Sequence, residues 1–345
     1  MRMQPLDADA MAAARARQDT LTKPPGALGR LEELSIWLCG VQATCPPRAL
    51  RSRRLVLFAG DHGVAAYGVS AYPPAVTRQM ISNFLTGGAA CTVLARQVHA
   101  DVRVLDIAVD TNDLPADVTA HKVRRGSGAI HLEPALSRPD LDKALAVGSA
   151  IADEEIDSGA DVLIAGDMGI ANTTIAAAVV AGLTGSDASA VVGRGTGVDD
   201  DGVRRKTAVV AAALKRSAAA RGDPELVLRE LGGADIAAMT AFILRAAERQ
   251  VPVVLDGVFP TTAALIAETM APGVRAYAVA GHRSTEPAQQ IALERLGLTP
   301  LIDFGLRLGE GTGALLALPL LDAAVAILAE MATFGDAGIA GPVDA

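Results

Sequence analysis

One arrangement recurs along this chain and limits its fold more than any other feature. A short aliphatic, β-branched run ends in a small or acidic residue, meets a glycine turn, and gives way to an Ala-rich helical segment. It is found at Leu55 to Gly60, Val102 to Ile107, Val162 to Gly166, Val253 to Gly257, Ala276 to Gly281 and Pro300 to Gly305. Strand-like runs alternating with helices predict an α/β fold, a doubly wound, mostly parallel sheet with helices on both faces. Only 3% of residues are aromatic while half are hydrophobic, so the core must be built from Ala, Val, Leu and Ile, which suits close helix-on-sheet packing.

At 345 residues the chain has room for one large domain or two. The N-terminal segment reads differently from the rest: helical from Ala8 to Asp19 and again from Leu28 to Val41, with Lys23-Pro24-Pro25-Gly26 as a break. The expected organisation is a small helical subdomain from residues 1–45 plus 315–334 and a parallel-sheet catalytic domain over 46–314. Residues 335–345, rich in Gly, Ala and Pro, read as a loose tail.

A net charge of −8 argues against nucleic acid as the main partner, because phosphate-backbone binding needs a basic face. The one dense basic run, Arg48 to Arg54, reads as a solvated approach to a strand. Cys39, Cys45 and Cys91 are odd in number and lack metal-like spacing, which favours a reduced, cytoplasmic setting and no zinc. Asp7 and Asp9 interrupt any basic-then-apolar leader, and no apolar run is read as reaching the roughly 18 residues of a membrane span.

In open parallel sheets, ligands bind beyond the carboxyl ends of the strands, where these glycine turns fall. The residues there are polar: Asp61, His62, Asp106, Asp110, Asp167, Asp256, His282 and, one turn later, Glu310. Glu310 stands among Gly309, Gly311 and Gly313, which lack Cβ atoms and let backbone approach a ligand or take positive φ. The apolar segment from Ala314 to Met331, broken only by Pro319, reads as the buried helix anchoring that loop. Glu310 is either a chemical carboxylate or a helix N-terminal Glu that complements the macrodipole.

A second candidate is Gly166-Asp167-Met168-Gly169-Ile170-Ala171-Asn172-Thr173-Thr174, joining a strand to a helix over 175–181. Free N–H groups and hydroxyls at such a helix start can cradle a phosphate, or the trio Asn172, Thr173, Thr174 is an ordinary N-cap. Gly193-Arg194-Gly195-Thr196-Gly197 and Arg204-Arg205-Lys206 offer cations, although Lys206 in a charge run reads equally as a solvated helix face. Neither a dinucleotide fingerprint nor GxxxxGK[ST] is present. The third candidate runs from Ala59-Gly60-Asp61-His62-Gly63 through Ser70, Tyr72 and a proline loop to a helix carrying Gln79, Met80, Asn83 and Phe84. An aromatic, a thioether and an amide over a loop suit a flat heteroaromatic ligand, while Met80 and Phe84 at i and i+4 suit the core. Asp61 and His62, being adjacent, are not read as a catalytic couple.

These segments resemble one known family, the nicotinate-nucleotide:dimethylbenzimidazole phosphoribosyltransferases of cobalamin lower-ligand activation. The resemblance runs in order through Thr22 to Gly29, GDHGV at 60–64, GVSAYPPAVTRQM at 68–80, NFLTGGAA at 83–90, GDMGIANTT at 166–174, GRGTG at 193–197, Leu255-Asp256-Gly257, Gly281-His282-Arg283-Ser284 and GEGTGA at 309–314. It implies transfer of phosphoribose from nicotinate mononucleotide to 5,6-dimethylbenzimidazole, with inversion at the anomeric centre and no metal or redox cofactor. Glu310 matches the catalytic base; Asp167, Gly169, Asn172, Thr173, Thr174 and Lys206 would hold phosphate and ribose; Ser70, Tyr72, Gln79 and Met80 would border the base. Asp167 stands where that family usually has a glutamate. The resemblance also implies a homodimer with small-molecule substrates, no nucleic acid and no membrane. A same-fold transferase using another lower-ligand base, or a non-catalytic nucleotide-binding protein, are the alternatives.

Overall fold

The computed structural model describes residues 3–341. β1 (Arg53–Gly60) shows why the strands form where they do. Leu55, Leu57 and Ala59 join one buried cluster and Val56 and Phe58 the other, so a strand covered on both faces is apolar at successive positions. β2 (Ala100–Ala108), β3 (Val162–Met168), β4 (Val253–Leu255) and β5 (Ala278–Ala280) complete a sheet of order β2-β1-β3-β4-β5 in which every pairing is parallel. Helices Arg138–Asp157, Asn172–Thr184, Ala234–Glu248 and Val258–Met270 cover one face. Helices Arg30–Gln42, Val76–Leu85, Ala90–Gln97 and Thr312–Glu330 cover the other. The expected α/β, doubly wound architecture is therefore observed.

The small side chains let these layers come close. A Cβ on Gly148 would lie 1.9 Å from the Ala238 carbonyl oxygen, so helices 138–157 and 234–248 meet backbone to backbone. The strand order reverses direction between β1 and β3, and the GDHG and GDMG turns leave the sheet on either side of that switch point.

The sixth strand-like run departs from expectation. β7 (Ile302–Leu306) does not join the five-stranded sheet but pairs in parallel with β6 (His282–Ser284) in a separate two-stranded sheet. The line of β5 breaks at Gly281, where a Cβ would lie 2.8 Å from the Ala314 Cα: the start of helix Thr312–Glu330 occupies the space. Leu301 N–H still donates to Ala280 O and Ile302 N–H to Gly281 O, so β7 flanks the exit of β5 and aims the 305–311 loop back over the sheet.

Helix Thr312–Glu330 is long and apolar enough by composition to cross a membrane, although Gly313, Pro319 and Asp322 interrupt it, so no run of that length free of polar breaks and turn residues occurs here. Its Leu315, Leu318 and Leu321 share a buried cluster with Leu55, Leu57 and Ile164, the packing of a core helix. Its far end meets the N-terminal helices: Ala14, Leu21, Cys39 and Leu328 cluster, and Arg17 donates to Leu328 O and Ala329 O. The stretch read as a loose tail, 335–345, begins inside a short helix, Phe334–Ala337, capped by Thr333; residues 342–345 lie outside the described ones.

Candidate active site

The GDMG turn after β3 and the GEGTG loop after β7 pack directly on one another, and glycines make the contact possible. A Cβ on Gly166 would sit 3.1 Å from the Glu310 carbonyl carbon, and one on Gly309 3.2 Å from an Asp167 carboxylate oxygen. Gly309, Glu310 and Gly311 take φ of 83°, 62° and 84°, three successive left-handed residues. For a glutamate that backbone costs on the order of 1 kcal/mol and persists only where the surroundings over-determine it. Gly313 serves differently: its conformation is helical, and a Cβ there would lie 1.9 Å from His282 Cδ2.

Glu310 is 5% exposed, and its Oε2 is buried without a hydrogen-bond partner. Burial pushes its pKa up to about 7; the Cys91 thiol opposes this and the Asp256 charge adds to it. Helix capping does not explain this side chain, because another carboxylate caps the helix. Asp256, fully buried just beyond β4, accepts from Gly311 N–H (2.9 Å), Gly313 N–H (2.7 Å) and Ala314 N–H (3.1 Å). Burial alone would raise Asp256, but His282, 3.3 Å away, and these N–H groups hold it below the ordinary carboxylate value. Burial would in turn lower His282, and Asp256 carries it above its usual value.

Asp167, 6% exposed, accepts from Asn172 Nδ2 (2.6 Å) and keeps Oδ1 unpartnered. Burial pushes its pKa well above the carboxylate range, and Asp256, Glu310 and Asp235 push the same way. Ala171 (φ 77°) is the N-cap of helix Asn172–Thr184, so Asn172, Thr173 and Thr174 are its first three residues and none caps it. Asn172 turns to Asp167, Thr173 Oγ1 accepts from Lys206 Nζ (2.9 Å), and the buried Thr174 hydroxyl has no partner.

Lys206 is not on a solvated face. It is fully buried, donating to Thr173 Oγ1 and to Gly193 O (3.1 Å). Burial pushes its pKa down and Glu286 partly offsets this. Glu286 accepts from Gly195 N–H (2.7 Å), and Arg307 Nη1 donates to Gly195 O (2.6 Å), so the 193–197 loop is tied to both the lysine and the 305–311 loop. Glycine at 169 is required: a Cβ there would lie 2.3 Å from Gly60 O.

The residues read as base-binding are less closely gathered. Ser70 hydrogen-bonds Thr196 Oγ1 (3.0 Å), and Met80 is half-buried against the cluster containing Cys91 and Ala314. Phe84 is core, as the bland reading had it. Tyr72 (55% exposed) and Gln79 face solvent, and neither side chain hydrogen-bonds the Glu310 loop among the described residues.

Sequence reasoning missed several partners. His62 pairs not with Asp61 but with the buried Asp235 (3.2 Å), beneath the Gly169 turn. Asp256 and His282 were visible as polar strand ends, but their pairing and the cap they form were not. Glu286, Arg307 and Cys91 carry no motif that would single them out. Asp106 and Asp61 accept from Val109 N–H and Asp110 N–H respectively, and Asp61 Oδ1 is buried without a partner.

Fold and site together are those of an α/β transferase, and the family profile described as phosphoribosyltransferase matches residues 3–339. The chain is 56% identical over 338 residues to the nicotinate-nucleotide–dimethylbenzimidazole phosphoribosyltransferase of Mycolicibacterium paratuberculosis, covering 98% of this chain and 97% of that one. To the protein of the same name from Mycobacterium marinum it is 58% identical, covering 98% and 94%. The crystal structure of CobT from Thermus thermophilus superposes with a TM-score of 0.92 at 47% identity, covering 97% of this chain and all of that one. The chain belongs to the nicotinate-nucleotide–dimethylbenzimidazole phosphoribosyltransferase family.

Proposed function

We propose that this chain transfers phosphoribose from nicotinate mononucleotide to 5,6-dimethylbenzimidazole, giving α-ribazole 5'-phosphate and nicotinate for cobalamin nucleotide-loop assembly. The observation that carries this reading is Glu310, a buried carboxylate with an unpartnered oxygen, held in a left-handed turn against Asp167. An azole ring nitrogen attacks C1′ of the ribose, the C1′–pyridinium bond breaks, and its electron pair goes to the departing nicotinate nitrogen. The azole's other nitrogen then carries a proton to be lost, and Glu310 accepts it. With a pKa of about 7 the carboxylate is a far better base than an exposed one, yet is still about half ionised at pH 7.

The nucleotide phosphate lies at the start of helix Asn172–Thr184, which offers the positive end of the helix dipole, the Lys206 ammonium on Thr173 Oγ1, and an unpartnered hydroxyl on Thr174 in its first turn. A dianion there would offset the burial that lowers the Lys206 pKa. Asp167 and Asn172 face the ribose, and Ser70, Tyr72, Gln79 and Met80 border the acceptor base. The working form is a cytoplasmic homodimer, a reading supported by three free cysteines and by Phe304 on β7 and Leu308 on the loop after it, 71% and 57% exposed.

Product analysis tests the proposal. Purified protein incubated with nicotinate mononucleotide and 5,6-dimethylbenzimidazole is expected to release one nicotinate for each α-linked ribotide. Mononucleotide binding without either product would overturn it.

A further inference from the structure

The GEGTG loop carries its glutamate through three successive left-handed residues, a conformation that does not hold itself. Its anchor is a single carboxylate. Asp256 takes three backbone N–H groups on the helix side of Glu310, the nearest belonging to the very next residue. That carboxylate is in turn fixed from behind. His282 Nε2 lies 3.3 Å from Asp256 Oδ1, and its ring packs so closely on residue 313 that only glycine fits. Gln289, fully buried, donates to both Asp256 O and His282 O (3.1 Å each) while accepting from Ser284 N–H (2.6 Å), which locks the exits of β4 and β5 together.

We propose that Asp256, braced by His282, is the positioning residue for Glu310: it fixes the left-handed turn carrying the base and places a buried negative charge beside it. The inference rests on the reading of Glu310 as the general base. The groups around Glu310 are Asp167 from the end of β3, Asp256 from the end of β4, the His282 imidazole and the Cys91 thiol of helix Ala90–Gln97. Of these, Asp256 is the carboxylate held ionised, while Asp167 is pushed towards its neutral form. Asp256 is therefore the fixed charge that favours proton uptake by Glu310, and His282, whose protonated form Asp256 favours, partly screens it when protonated.

The test is the pH dependence of kcat and of the mononucleotide KM in Asp256→Asn, His282→Gln and Glu310→Gln. Asparagine keeps the shape but turns an amide N–H₂ towards backbone donors and removes the charge. Asp256→Asn is expected to lower kcat by roughly 10–100-fold. It should change the mononucleotide KM by less than about threefold. It should also move the acid limb of the kcat profile down by about one pH unit. His282→Gln, which unscreens Asp256, should move that limb upwards. Limbs that stay in place, or move in the same direction, while activity falls would mean that the pair is structural, and the proposal would be overturned. Should Asp256→Asn fail to fold, an unmoved limb in His282→Gln is enough to overturn it. Glu310→Gln separates the two readings: full turnover there removes the base assignment itself, whereas a dead Glu310→Gln beside unmoved limbs removes only the role of Asp256.

Discussion

Helices Asn172–Thr184 and Thr312–Glu330 begin with the same backbone device, a left-handed N-cap at Ala171 or Gly311 that offers no side-chain cap of its own, yet the two starts are finished in opposite ways. At the second, Asp256 consumes the free N–H groups, and the positive end of the helix is neutralised from within the protein. At the first, no carboxylate takes the helix N–H groups among the described residues, and a buried lysine adds positive charge. One start is complete without a ligand and holds the proposed base, Glu310, in its left-handed turn. The other keeps its positive end uncompensated, which is why the proposed phosphate site is placed there.

The comparison predicts that changes at the capped loop damage chemistry and folding, while changes at the open one damage binding. The largest effect is expected from Glu310→Gln, a loss of about 10²–10⁴-fold in kcat with mononucleotide binding retained, measured by steady-state kinetics and calorimetry. Next comes Gly313→Ala. Its new methyl would meet the buried His282 ring at 1.9 Å, and denaturant unfolding should register a destabilisation of about 3 kcal/mol. A loss too small to measure would mean that the loop is not held as tightly as the cap implies.

A third prediction uses the sign of the Glu310 shift. Because its pKa rises on folding from 4.5 to about 7, the folded state binds this proton more tightly than the unfolded chain. Glu310 therefore favours the native state at pH below 4.5, and that contribution is lost as pH climbs to 7. Glu310→Gln should accordingly gain stability relative to the parent between about pH 5 and about pH 8, by on the order of 2 kcal/mol in thermal or urea unfolding. An equal difference at both pH values would sink the buried-carboxylate picture.

The smallest stability effects belong to the open start. Thr174→Val removes a buried hydroxyl that has no partner, so unfolding should change by no more than about 1 kcal/mol in either direction. Its mononucleotide KM, and that of Lys206→Met, should rise by roughly tenfold while kcat changes less. An effect confined to the benzimidazole KM would break the assignment of the two helix starts.

Much of the fold was legible because parallel strands buried on both faces leave a strong trace: aliphatic runs located all five strands of the sheet, and glycine turns close four of them. The run at 300–305 was also a strand, but nothing local could say that Ala314 would crowd Gly281 and divert it to β6. The site divided in the same manner. Glu310, Asp167 and the Asn172–Thr174 start stood out because charged and polar residues among glycines have little packing value. Lys206 looked like one member of a solvated charge run, and only its burial against Thr173 separates it from Arg204 and Arg205.

By itself, then, the sequence determined the alternation of strand and helix, the positions of the glycine turns, and the two carboxylates worth watching, since these follow from local sterics and hydrophobic burial. The tertiary structure alone decided which helix start is neutralised and which stays electropositive, because that depends on Asp256 reaching 55 positions along the chain to Gly311 and on Lys206 meeting Thr173 across 33. Such contacts are chosen by how layers pack, and a one-dimensional pattern does not encode them.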